Sequence, residues 1–209
     1  MAKCPRGGKR TKKSRNGSGA STKSSGAKSS SKNSITQKFG KQGKPRTMQQ
    51  ALNDVNPNYN KGKEYKINCQ RCAPTYEMQR RGYDVEALPY ITKGKDKYAS
   101  QWQHTFKNQK WDGNLGNRNA VVKKNIENKM KGYGDNSRAI VYVEWKSGSA
   151  HVFNVEQIKG KTQAVDAQVG TKINLFDYLK DSKPSRTMIS RVDNLDINEN
   201  VMIGMCKKR

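Results

Sequence analysis

The first 47 residues cannot supply a hydrophobic core. From Met1 to Thr47 the chain has fourteen Lys or Arg, no Asp or Glu, and almost no large apolar side chains. The run GSGASTKSSGAKSSSKNS lies between its basic clusters. Such a segment buries too little apolar surface to offset the entropy of ordering its backbone, so residues 1–47 are predicted to be a disordered tail. Any fold must then come from residues 48–209. That part is cationic too, with 28 basic against 17 acidic residues. The tail reads either as a solvated leader that keeps the chain soluble or as an arm for nucleic-acid phosphates. With almost no aromatic side chains to stack on bases, such an arm would bind without sequence preference.

No apolar run approaches the roughly 18–20 residues that cross a bilayer, so no membrane partner is expected. The basic N-terminus is not followed by an apolar stretch, which argues against a Sec signal peptide and for synthesis into the cytoplasm. The four cysteines, Cys4, Cys69, Cys72 and Cys206, are too scattered for a disulfide framework, and a reducing compartment is the simpler expectation. Cys69-x-x-Cys72 has the spacing of a zinc-ligand pair, but zinc takes four ligands and the sequence has no second pair. A thioredoxin-like redox pair would need a βαβ context that is missing around it. No metal and no cofactor is expected.

Order is predicted to begin near Pro45. TMQQALNDV spaces Met48, Leu52 and Val55 for a helix, and NPNY breaks it. INCQRCAPTYEMQRRG is the next helix, with Cys69, Cys72, Ala73 and Tyr76 on one face, Asn68 as N-cap and Gly82 just past the end. Pro74 lies beyond its first turn and should bend it. YDVEALP reads as a short strand. Residues 92–116 are irregular, anchored by Trp102 and Trp111. NRNAVVKKNIENKMKGYG is a helix buried through Val122, Ile126 and Met130 and ended by Gly132. Strands follow at 138–145, 150–158 and 162–168, joined by turns at Gly148 and Gly160. NLFDYLK is a short helix capped by Asn174, and NVMIGMC a last strand.

At the first position of its helix, Cys69 meets unpaired N–H groups and a partial positive charge, which lower a thiol pKa and can hold an oxyanion. A buried structural cysteine fits the same pattern. The two histidines, His104 and His151, decide what the cysteine can do. A two-residue turn at Lys159-Gly160 pairs Ile158 with Lys161. That register sets His151 opposite Gln168, with Asp166 diagonal on the same face. A carboxylate on one imidazole nitrogen fixes the tautomer and leaves the other to take a thiol proton.

As an ordered set, NCQRCAPTYEMQRRGYDVEALP, RAIVYVEWKSGSAHVFNVEQIKGK and AVDAQVG resemble the papain-fold toxin domains described as glutamine deamidases. The similarity covers roughly residues 53–196. It extends to RVDNLDIN, which resembles the ends of such domains in phage head-morphogenesis proteins. The resemblance implies an α+β papain-like cysteine-hydrolase fold, with a nucleophile helix packed on a small antiparallel sheet. It implies a site of Cys69 as nucleophile, His151 as base and acid, and Asp166 as orienter, with Gln168 as auxiliary. The Cys69 backbone N–H and the Asn68 side chain are the candidate oxyanion donors. The implied partners are a target protein and either an immunity protein or a phage head component, with action in the virion or in a target cell. Deamidase and protease chemistry share this triad, so both stay open. The rival class is a basic nucleic-acid-binding or virion protein whose papain-like domain is inactive.

Overall fold

The structure, a computed structural model, describes residues 34–91, 96–98 and 100–209. Cys4 and most of the expected tail lie outside these residues. The end of that tail does not behave as expected. A helix, α1, spans residues 34–39. It buries Phe39 and packs Ile35 on the core. Lys38 pairs with Glu199, and Arg46 with Asp54 and Asp84. The folded unit therefore begins before residue 48, because two apolar side chains and two internally paired cations hold this stretch on the domain.

Helix α2, Met48–Asp54, starts on a reciprocal cap in which Thr47 and Gln50 satisfy one another's backbone N–H groups. Helix α3, Cys69–Arg80, is buried on nearly every side. It keeps Pro74 inside it. Gly82 follows at φ +98°, and an added Cβ there would meet the Gly43 carbonyl oxygen at 2.4 Å, so only glycine fits. Strand β1, Val85–Ala87, pairs with β7, Cys206–Lys208. The stretch read as a terminal strand divides. Its first part forms helix α6, Glu199–Met202, and only Cys206–Lys208 is extended. Helix α4, Asn119–Tyr133, runs through Gly132 and stops at Gly134, which has φ +87°. Gly132 keeps ordinary helical geometry, so it was the wrong glycine for the stop.

The main sheet is antiparallel, in the order β5-β4-β3-β2-β6. Its strands are β2 Arg138–Glu144, β3 Ala150–Ile158, β4 Lys161–Asp166, β5 Thr171–Ile173 and β6 Met188–Arg191. Between β4 and β6 lies helix α5, Leu175–Leu179, capped by Asn174 as expected. Strands β5 and β6 were not foreseen, since TKI and MISR are too short to show alternation. Strand β3 is buried along almost its whole length because both faces are covered. Val152, Asn154 and Glu156 face α3, where Asn154 Nδ2 donates to Ala73 O at 3.1 Å. Phe153 and Val155 pack with Ile126 and Met130 of α4 and Leu179 of α5. Each such large side chain withdrawn from water contributes about 1.5–3 kcal/mol. The β3–β4 hairpin turns on Lys159 (φ 49°) and Gly160 (φ 73°), the paired left-handed residues of a two-residue turn. Ile158 pairs with Lys161, the register expected from the sequence.

Candidate active site

His151 and Asp166 meet at the end of the β3–β4 pair. His151 Nε2 lies 3.0 Å from Asp166 Oδ2, and both side chains are buried. The Gln168 backbone N–H donates to the other carboxylate oxygen at 2.9 Å. Tyr178 of α5 donates its hydroxyl to Oδ2 and stands 3.3 Å from His151 Nε2. Burial by itself would raise the Asp166 carboxyl. The charge of His151 and the hydrogen bonds from His151, Tyr178 and Gln168 outweigh it and hold the carboxyl below its ordinary range. His151 Nδ1 is buried and finds no hydrogen-bond partner among the described residues. The Trp145 ring stacks on the imidazole, with centroids 6.1 Å apart and planes 23° apart.

The amino-terminal end of α3 reaches this pair through side-chain amides. Asn68 does not cap the helix with its side chain. Its Oδ1 faces Gln168 Nε2 at 3.4 Å and Cys72 Sγ at 3.2 Å. Its Nδ2 donates to Leu88 O at 3.0 Å and faces Asn56 Oδ1 at 3.4 Å. Asn56 in turn donates to the Gln168 carbonyl at 2.8 Å. Asn68 is thus a brace between helix and sheet, with its amide hydrogens directed at protein oxygens, rather than a spare oxyanion donor. Gln168 Oε1 is buried without a partner among the described residues.

Cys69 is fully buried and belongs to the core cluster that holds Ala73 and Val152, the neighbour of His151 in the chain. Cys72 and Cys206 carry free, buried thiols. Cys72 packs inward with Tyr76, Val165 and Ala167. Burial, and then the Asp166 charge, push its thiol well up, so it is a poor nucleophile. His104 is exposed and remote in role, its carbonyl accepting from Asn198. Among the described residues no cluster of His, Cys, Asp or Glu is arranged to hold a metal ion, and no helix is long and apolar enough to cross a membrane.

The model of the family described as papain fold toxin 1, glutamine deamidase, matches residues 67–171, about half of the chain. The chain belongs to this family. No curated protein and no solved structure gives a match. The papain-fold toxin domain takes in α3, β1, α4 and the β2–β4 hairpins, so it includes Cys69, His151, Asp166, Asn68 and Gln168. It stops short of Tyr178, and Asn56 precedes it. Neither residue was singled out in the sequence. Asn56 sat in NPNY, read only as a helix break. Tyr178 lies in NLFDYLK, where the sequence shows only a short helix with its Asn174 cap. The sequence carries no local signal for either residue, because each acts on a partner distant in the chain.

Proposed function

We propose that this papain-fold domain is a thiol amidohydrolase that deamidates glutamine side chains of a target protein through Cys69, His151 and Asp166. What supports the reading most directly is the state of His151. One ring nitrogen is held by a buried carboxylate, and the other is buried and without a partner among the described residues. That is the arrangement a general base needs before it receives a thiol proton.

The reaction runs on the reduced chain. The Cys69 thiol gives its proton to His151 Nδ1, and the thiolate attacks the carboxamide carbon, forming a C–S bond. The oxyanion develops against the amino-terminal end of α3, where the helix dipole favours negative charge. His151 returns the proton to nitrogen as the C–N bond breaks, and ammonia leaves. Water then adds to the thioester and gives a proton to His151. The C–S bond breaks, releasing a glutamate side chain and Cys69. The family's description names glutamine deamidation, so ammonia, rather than a peptide amine, is the leaving group proposed.

The test is intact-mass analysis of candidate target proteins after incubation with the reduced chain and with its Cys69→Ala variant. The expected result is the mass gain of one amide converted to a carboxylate, present with the first and lost with the second. Conversion that survives Cys69→Ala, or chain cleavage in place of the mass gain, overturns the assignment.

A further inference from the structure

The aromatic cluster beside His151 carries more than packing. Tyr178 is the point where three rings and the Asp166 carboxylate converge. Its ring stands edge-on to Trp145, His151 and Phe153, with centroids 5.6, 5.8 and 5.3 Å away. An aromatic ring held on three sides has little freedom, so the direction of its hydroxyl is fixed by the core. That hydroxyl donates to Asp166 Oδ2, the same oxygen that receives His151 Nε2. The other carboxylate oxygen is held by the Gln168 backbone N–H. The carboxylate is thus gripped at both oxygens.

We propose that Tyr178 is a positioning residue of the thiol site, fixing Asp166 and through it the plane of the His151 ring. Two observations separate this role from simple burial. Tyr178 directs its only polar atom at the orienting carboxylate, and that atom stands within 3.3 Å of the imidazole nitrogen paired with it. A second consequence follows from sharing one oxygen. A hydroxyl that donates to Oδ2 withdraws charge from the atom that steadies the imidazolium, so Tyr178 tunes the pair as well as aiming it. The titratable groups around this point are few. Asp166 is influenced by His151 and Tyr178, and its charge reaches Cys72. Tyr178 is influenced by Asp166 and by Tyr59 from the loop before α3.

The inference rests on the proposed pairing of Cys69 with His151, and the experiment tells their failures apart. The rate of Cys69 alkylation by iodoacetamide is measured on the reduced full chain across a pH series, followed on the Cys69 peptide by mass spectrometry. This readout needs no knowledge of the substrate. His151→Ala is expected to convert the profile to that of an ordinary thiol. Tyr178→Phe keeps the ring and is expected to displace the profile and slow alkylation at neutral pH by about tenfold, the order of effect of one lost hydrogen bond. A normal profile for Tyr178→Phe beside an altered one for His151→Ala overturns the role of Tyr178 and leaves the thiol pair standing. An unaltered profile for His151→Ala overturns both. Should the phenylalanine variant fail to fold, a fluorinated tyrosine placed at 178 alters the donor strength without altering the shape. A profile identical to that of the unmodified chain would then overturn the proposal.

Discussion

The two ends of α3 are both buried and polar, yet they are built on opposite terms. At the carboxyl end every charge is matched. Glu77 receives Arg81 Nε and Arg138 Nε at 2.6 Å each. Glu156 receives the Tyr76 hydroxyl at 2.5 Å and Arg80 at 2.7 and 2.9 Å. The remaining guanidinium nitrogens of Arg81 reach the carbonyls of Leu195 and Val192. The amino end has its own matched charges, Arg71 with Asp96 and Asp166 with His151, but beside its amides and imidazole two polar atoms, His151 Nδ1 and Gln168 Oε1, lack partners among the described residues. A buried polar atom left without a partner costs roughly 1–3 kcal/mol. One end therefore reads as built to hold, and the other as built to meet something that arrives.

The comparison breaks most sharply at His151. His151→Ala is expected to lower turnover by about five orders of magnitude, because base and nucleophile act as a unit. His104→Ala should leave turnover within a few-fold, since that ring is exposed and outside the network. Steady-state ammonia release from the reduced proteins distinguishes them. Equal losses in the two variants would mean that the imidazole at the amino end has no special standing.

The carboxyl end should fail differently. Glu77→Ala strands Arg81 and Arg138 and is expected to cost about 3–5 kcal/mol of stability, the usual price of removing one partner of a buried ion pair. Urea unfolding reads this directly. The fraction that stays folded should turn over normally. A variant that is stable but inactive would show that the two ends of the helix are coupled.

The smallest effect sharpens the comparison in acid. Asp166 is held below its ordinary value of 3.8 in the folded chain. Its pairing therefore adds stability that is complete above that value and disappears as pH falls towards the depressed one. Asp166→Asn should lose less stability than the unmodified chain over the acid range, seen as a shallower fall in urea midpoint below about pH 4. A parallel fall in both chains would show that the carboxylate gains little from its partners.

The β3–β4 hairpin was legible in the sequence because one dipeptide and strict alternation determine it, and with it came the meeting of His151 and Asp166. Helices α2, α3 and α4 were legible from apolar spacing. The ends were less so. Gly132 and Gly134 are equally good stops on paper, and only φ distinguishes them. Residues 34–47 looked like tail because their composition is that of the tail, while Ile35 and Phe39 are too few to register as a pattern. The Asn68 side chain was expected to serve its own helix. It turned instead to Asn56, Leu88 and Gln168, partners 12, 20 and 100 residues away. No local rule anticipates bonds of that range, and the same is true of Tyr178 and Asp166.

The Lys159-Gly160 turn also sets what this chain can tolerate as it diverges or is engineered. A hairpin has a side-chain period of two, so one residue added to either arm carries every later side chain to the opposite face. Between His151 and Asp166 such a slip would send the imidazole and the carboxylate to different sides of the sheet. Loops at the rim can lengthen at little cost. The fourteen residues between His151 and Asp166 form a measured interval, closed to a change in length.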